Sequence, residues 1–282
     1  MYDMLKKLFF IIPVLLQILP QQMYSQSTEL KVMSYNIRQG SADDGDNSWI
    51  FRSSSTLEML EDQMPDVFGV QEALGYQVEY ISEHSIAYDY VGVGRDDGNQ
   101  KGEYMAIFWS KKTMSVLEWG TFWLSETPDV PSKGWDAACY RTATWALMEV
   151  KKTGQKFYFV NTHLDHIGVD ARREGLNLIV DKIASINHEG LPMVLTGDFN
   201  MIPSAPELKE LDAKMNSTRL VAIESDNHNT FNGWGKGTKN QIIDYIYISG
   251  FSSCLEYHTV TDEYAQRKYI SDHYPIVSRL IF

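Results

Sequence analysis

The chain is predicted to fold as a mixed α/β protein of two similar halves, each a β-sheet with covering helices. Short β-like runs recur along most of its length, and stretches of helical spacing fall between them toward both ends. Hydrophobic residues make up 44% and aromatics 12%, enough for a sizeable core, while 22% charged residues argue against disorder. At 282 residues, with no linker or repeat after Thr28, a single domain over 28–282 is the simplest organisation.

The strands come first. Leu30–Tyr35 alternates apolar and polar residues. The runs 67–70, 106–109, 145–150, 157–161, 193–196, 243–248 and 276–281 read as strands by β-branched and aromatic enrichment. Helical spacing places Leu57, Leu60 and Met64 on one face of 53–64. It does the same for Leu176, Ile179, Val180 and Ile183 within 171–186.

The first residues stand apart. Lys6 and Lys7 precede an apolar run from Leu8 to Leu19, broken by Pro13 and Gln17, and Ser25, Gln26 and Ser27 follow. That is the layout of a secretory signal over residues 1–25, and it predicts an exported, periplasmic or secreted protein. The run is short for a membrane span, and no Cys near the cleavage zone offers a lipid attachment point. Two cysteines, Cys139 and Cys254, are too few for a disulfide framework. A single bridge stays open, with free thiols the default.

A net charge of −12 weakens the case for a protein that grips many nucleic-acid phosphates on a basic face. It leaves room for a carboxylate-rich site neutralised by metal ions.

Polar residues gather where the predicted strands end: Asn36, Glu72, His163 with Asp165, Asp198 with Asn200, and Asp272 with His273. Strand ends are rigid and the adjoining loops accessible, which suits a functional site. Glu72, Asp198 and Asp272 come from three separate strand ends, and hard cations such as Mg²⁺ or Mn²⁺ prefer such oxygen ligands. His273 suits hydrogen bonding to a phosphate or proton transfer if a carboxylate orients its other nitrogen, and Asp244 is the candidate. In Gly197-Asp198-Phe199-Asn200, glycine permits close backbone approach, Asp198 suits activation of a water, and Asn200 suits holding that water or a phosphate oxygen. Taken alone, each residue reads better as a surface, turn or structural group.

Together the motifs say more. Ser34-Tyr35-Asn36, Gln71-Glu72, Asn161-Thr162-His163-Leu164-Asp165, Gly197-Asp198-Phe199-Asn200, Ile243-Asp244-Tyr245-Ile246 and Ser271-Asp272-His273-Tyr274-Pro275 occur in this order. The chain resembles the endonuclease/exonuclease/phosphatase superfamily over about residues 28–282. The resemblance implies a four-layered sandwich, with two β-sheets face to face, helices outside, and the site at one edge. It implies Glu72 as a metal ligand with Asn36 and Asp272 on the metal side, and Mg²⁺ or Mn²⁺ as cofactor. Asp198 would position or deprotonate water with Asn200, His163 and His273 would contact the phosphate, and Asp244 would orient His273. The candidate substrate contacts are Asn36, Arg38, Arg141, Asn161 and Trp135. Asn36-Ile37-Arg38 is similar to the start of pancreatic-type deoxyribonuclease, whereas AP endonucleases carry an acidic residue where Arg38 stands.

The segment 122–145 holds Pro128, Pro131 and Gly134 and reads as a loop. Arg141 opens the next strand, suited to a two-pronged grip on phosphate, and Trp135 and Asp136 suit the pocket lining. His166 falls at the rim, and Thr230-Phe231-Asn232-Gly233 suits the pocket wall. The segment, with Arg172 and Arg173, resembles a bacterial, often exported branch whose substrates the resemblance does not identify.

The leading functional reading is a phosphodiesterase or nuclease acting on nucleic acid or nucleotides. A phosphatase or phospholipase-type hydrolase of a small phosphorylated metabolite or lipid head group competes with it, and a non-catalytic binding module on the same fold is the third class. A phosphorylated substrate is the partner expected, with no stable protein partner and a monomeric state.

Overall fold

The computed structural model describes residues 28–238 and 241–282; the export signal expected over 1–25 lies outside them. Among the described residues the chain forms a seven-stranded and a six-stranded sheet. The first runs in the order 224–225, 253–259, 276–281, 29–36, 67–71, 107–110, 88–91. The second runs 216–217, 244–249, 193–198, 156–163, 142–150, 114–123.

Alternation along the strands builds the layers. Leu30, Val32, Val67 and Ile107 of the first sheet meet Ala146, Met148, Phe159, Val194 and Ile246 of the second in one buried cluster. The opposite faces are covered by helices. Met33, Tyr35, Phe68 and Val70 pack with Met59, Leu60, Val78 and Ile81 from the helices Trp49–Gln63 and Gly75–His84. Val160, Leu195 and Tyr245 pack with Leu176, Ile179 and Ile183 of the helix Val169–Ile186. The result is the expected four-layered α/β sandwich: helices, sheet, sheet, helix. Among the described residues no helix is long and apolar enough to cross a membrane.

Between the sheets one polar pin interrupts the apolar packing. Asn161 is fully buried; its Nδ2 donates to the carbonyls of Val70 at 2.8 Å and Ala106 at 3.0 Å. Its Oδ1 accepts from Gln71 Nε2 at 2.7 Å and Thr196 Oγ1 at 3.2 Å. The substrate contact expected of Asn161 is therefore corrected. It shares a strand face with His163 but sits two residues deeper, and all its polar atoms are used in tying one sheet to the other. Gly69 makes room for it, since a Cβ there would come within 2.4 Å of the Asn161 amide.

The strands Glu29–Asn36 and Val67–Gln71 run parallel, as do Lys156–His163 and Met193–Asp198. Asn36 therefore lies beside Gln71, and Asp198 lies between His163 and Asp244. The chain enters the strand Ile276–Ile281, antiparallel to Glu29–Asn36, at the same end. One edge of the sandwich thus receives all the chemistry-bearing strand ends.

Candidate active site

The first sheet supplies one wall of a cleft of about 610 Å³. Arg38 and Glu72 leave their strands in the left-handed region, at φ 58° and 62°, and such strained positions cluster at functional sites. The backbone at Arg38 is braced from behind: fully buried Arg52 donates to its carbonyl at 2.8 Å and Gln77 at 3.1 Å. Asn36 is buried under the floor, its Nδ2 donating to Glu72 Oε1 at 3.1 Å and to Asp198 Oδ2 at 3.0 Å. It joins the two sheets at the site as Asn161 does below it.

The second sheet supplies the other wall. Gly197 lets its strand pass the neighbouring one closely, since a Cβ there would come within 2.3 Å of the Thr162 carbonyl. Asp198 follows, 2% exposed; its Oδ1 accepts from Asn200 N at 2.9 Å. Its Oδ2 stands 3.4 Å from His163 Nε2 and 3.7 Å from His273 Nε2. Burial raises the Asp198 carboxyl above the usual range, and nearby Asp244 raises it further.

The two histidines are set oppositely. His273 Nδ1 lies 2.8 Å from Asp244 Oδ2, itself 2% exposed. Burial opposes protonation of His273, but Asp244 and Asp198 outweigh it and hold the imidazole above its ordinary value. His163 is driven well below its ordinary value by burial and by the charges of Arg141 and Arg95, so it is neutral near pH 7. The Asn200 amide donates to the Leu164 carbonyl at 3.0 Å and also meets His163 Nε2 at 3.0 Å. The carbonyl fixes which amide atom is nitrogen, which makes His163 Nε2 the acceptor and puts its proton on Nδ1.

Ten of the twelve predicted site residues thus gather here: Asn36 and Asp244 beneath the surface, the rest on it. Asp272 lies 3.8 Å from the Arg38 guanidinium, which is held two-pronged by Asp44 at 3.0 and 3.1 Å. Thr230–Gly233 forms the wall expected of it. Phe231 lines the cleft and meets the His273 ring edge-on at 5.0 Å, and Asn232 N donates to the Asp272 carbonyl at 2.8 Å.

Trp135 departs from expectation along with Asn161. Its ring packs on the outer core beside the helix Val169–Ile186, away from the cleft, because that apolar surface buries a large ring better than a polar cleft does. Asp136 caps the same helix, accepting from Ala171 N at 2.8 Å. Cys139 lines the cleft and Cys254 lies in the inter-sheet core, both as free thiols.

Sequence reasoning missed Arg95 and Glu103, which line the cleft beside His163. Glu103 Oε2 is 2.6 Å from Arg95 Nη1 and 4.0 Å from His163 Nδ1, and burial raises its carboxyl above the usual range. The Gly-rich stretch from Gly92 to Gly102 was the available signal for a tight loop at a site.

Asp165 organises the rim. Its carboxylate accepts from the backbone N–H groups of Ala138, Ile167 and Gly168 and from Arg141 Nε. Burial opposes its charge, but these donors win and hold it well below the carboxylate range. A carboxyl depressed in the folded state contributes stability that is present above its ordinary value of 3.8 and lost as pH falls through its folded value. Asp165→Asn is therefore expected to cost on the order of 2 kcal/mol at pH 7. The gap from wild type should begin to shrink below about pH 4, as the carboxyl takes up a proton in the unfolded state, and close only as pH falls through the depressed folded value. Urea unfolding of both proteins at neutral and acid pH measures it; a pH-independent gap would disprove the assignment.

The donor set suits a hard divalent cation. Glu72, His163 and Asp198 bring ligand atoms within 4.8 Å of one another, and Asp272 adds a further carboxylate to the cleft. Burial raises the Asp272 carboxyl above its ordinary range, and the charge of Glu72 adds to that rise. Crowded oxygen donors of like charge are what a bound cation relieves.

Residues 33–273 match the model of the endonuclease/exonuclease/phosphatase family. A protein of that family from Bacteroides thetaiotaomicron has a solved structure that is 37% identical, with a TM-score of 0.86, covering 91% of this chain and 99% of its own. A mannosyl-6-phosphatase of the same organism is 36% identical, with a TM-score of 0.85, covering 90% of this chain and all of its own. An uncharacterized protein of Acanthamoeba polyphaga mimivirus is 25% identical over 244 residues, 81% of this chain and 91% of that protein. With its sandwich, its ordered motifs and their convergence at one edge, the chain belongs to the endonuclease/exonuclease/phosphatase family.

Proposed function

We propose that this protein is a metal-dependent phosphatase of small phosphate monoesters, with sugar phosphates the favoured class. The observation that carries the reading is the pairing, in one cleft of about 610 Å³, of Glu72, Asp198 and Asp272 with Arg38, Arg95 and Arg141. A net charge of −12 weakens the case for a polymer gripped on an extended basic face. The 36% identical mannosyl-6-phosphatase supports the same choice. The reading takes up the alternative of the sequence analysis in preference to the nuclease. The deoxyribonuclease-like Asn36-Ile37-Arg38 still favours a phosphodiesterase as the second reading.

Glu72, Asn36 and Asp272 would hold Mg²⁺ or Mn²⁺, which supplies positive charge to the phosphate oxygens. Arg38 and Arg141 bind the phosphate. Asp198 takes a proton from the attacking water, whose oxygen bonds to phosphorus as the P–O ester bond breaks, and the departing oxygen leaves as the alcohol after taking a proton from solvent. Asn200 holds Asp198 and His163 in place. His273, charged and oriented by Asp244, donates to a phosphate oxygen as negative charge builds there. His163, neutral, donates from Nδ1 on the Arg95–Glu103 side. Export as a monomer, directed by residues 1–25, completes the reading.

The test is turnover by the mature protein of mannose 6-phosphate, p-nitrophenyl phosphate, bis(p-nitrophenyl) phosphate, RNA and DNA, with Mg²⁺, Mn²⁺ or EDTA. Monoester hydrolysis abolished by EDTA and restored by Mg²⁺ or Mn²⁺ is expected. Efficient cleavage of nucleic acid without monoester turnover would replace this reading with the nuclease.

A further inference from the structure

Three guanidiniums line the cleft, and they differ in how far their hydrogen bonds are already used. Arg38 is committed two-pronged to Asp44. Arg141 donates to Asp165 at 3.3 Å and to His166 at 3.0 Å. Arg95 approaches Glu103 within 2.6 Å, yet off the hydrogen-bond direction. Among the described residues, its buried Nε and Nη1 have no hydrogen-bond partner.

The ion pair with Glu103 offsets the charge, but its geometry leaves both donors without a hydrogen bond, a cost that an acceptor oxygen brought by a ligand would relieve. The backbone beneath is fixed: Arg95 N donates to the Glu103 carbonyl at 3.0 Å, and Trp123 Nε1 donates to the Arg95 carbonyl at 2.7 Å. The guanidinium is thus a preplaced set of donors on the cleft wall beside His163.

Phosphate chemistry says what fits. A monoester has three non-bridging oxygens and close to two negative charges near neutral pH. A diester has two such oxygens and one charge, and its second ester chain occupies the third direction. Arg38 and Arg141, with the cation that Glu72 and Asp272 would hold, would suffice for the charge common to both. A further guanidinium of planar fork geometry suits the additional oxygen.

We propose that Arg95 is the specificity-determining residue for monoesters: it grips the third non-bridging oxygen of a terminal phosphate. This rests on the monoesterase reading above. The alternative is that Arg95 serves only to neutralise Glu103 and steady His163, which would affect every substrate alike.

The test compares kcat/KM of wild type, Arg95→Gln and Arg95→Lys, all loaded with Mg²⁺, on p-nitrophenyl phosphate and bis(p-nitrophenyl) phosphate. Calorimetric binding of inorganic phosphate runs alongside. For Arg95→Gln the expected loss on the monoester is about 100-fold, with a loss on the diester at least about tenfold smaller. Arg95→Lys, which keeps the charge and guards against a folding defect, should recover part of the monoester activity. Phosphate affinity should fall on the order of 30-fold in Arg95→Gln. Equal losses on both substrates, or unchanged phosphate affinity, would overturn the proposal while leaving the monoesterase reading intact. A wild type that hydrolyses only the diester would remove both.

Discussion

Asp198→Asn is expected to lower kcat on a phosphate ester that the wild type hydrolyses by on the order of 10⁴-fold, the upper range for removal of a general base. The substitution keeps the size of a side chain that is 2% exposed. Its amide oxygen can still accept from Asn200 N, as Asp198 Oδ1 does at 2.9 Å. What disappears is the acceptor for the proton of the attacking water, together with a negative charge close to Asp244 and Glu72. Relief of that like-charge crowding is offset by the new amide nitrogen, which faces Asn36 Nδ2 where Asp198 Oδ2 accepted at 3.0 Å, so the melting temperature is expected to stay close to that of wild type. Steady-state kinetics together with a thermal melt check both halves. A variant within tenfold of wild-type kcat would exclude Asp198 as the base.

The second large effect is expected at Asp244, which we place behind the chemistry as a positioning residue. Asp244 Oδ2 faces His273 Nδ1 at 2.8 Å in a buried pair. Asp244→Asn keeps the shape but removes the charge that holds the proton on Nδ1, so the ring is free to adopt the wrong tautomer and lose its positive charge. A carboxylate-to-amide change behind a catalytic histidine has cost about 10⁴-fold in a serine protease, and about 10³-fold in kcat is expected here, with KM little changed. A merely structural role predicts a different pattern, in which the protein melts lower and kcat per folded molecule is normal. The discriminating readout is the pH profile. His273 is held protonated chiefly by Asp244 and Asp198 against burial, so in Asp244→Asn the alkaline limb of activity should move to lower pH. An unmoved limb would count against the assignment.

Much of this was legible in the chain because the chemistry-bearing residues terminate strands of strong pattern. Asn36, His163 and Asp198 each end a largely buried strand, so their position at one edge follows from parallel strand order once the strands are recognised. Asp244 and His273 were recognisable as a possible pair, although only the fold brings them to 2.8 Å. Asn161 shows where a motif misleads: it shares a face with His163, but sequence carries no measure of depth, and two residues separate a cleft from an interior. Trp135 shows the opposite difficulty, since an aromatic in a loop fits a pocket or an outer core equally well on paper. Arg95 and Glu103 were missed because their partnership depends on how the 92–102 loop folds against His163. The strand Met114–Trp123 escaped for a simpler reason: a bulge between Val116 and Glu118 shifts the alternation by which a strand is recognised.

The Asn36 amide, bonded to Glu72 on one sheet and Asp198 on the other, makes the proposed site a seam. Neither layer carries a working set of groups alone, and the Asn161 pin lies across the same joint. Activity should therefore report on assembly of the whole molecule. Slippage of one layer against the other, by strain or by partial unfolding, would part Asp198 from Glu72 before much of the core was exposed. Hydrolysis of phosphoesters at this site would thus be tied to completed folding, so a chain whose two layers have not yet met carries no activity.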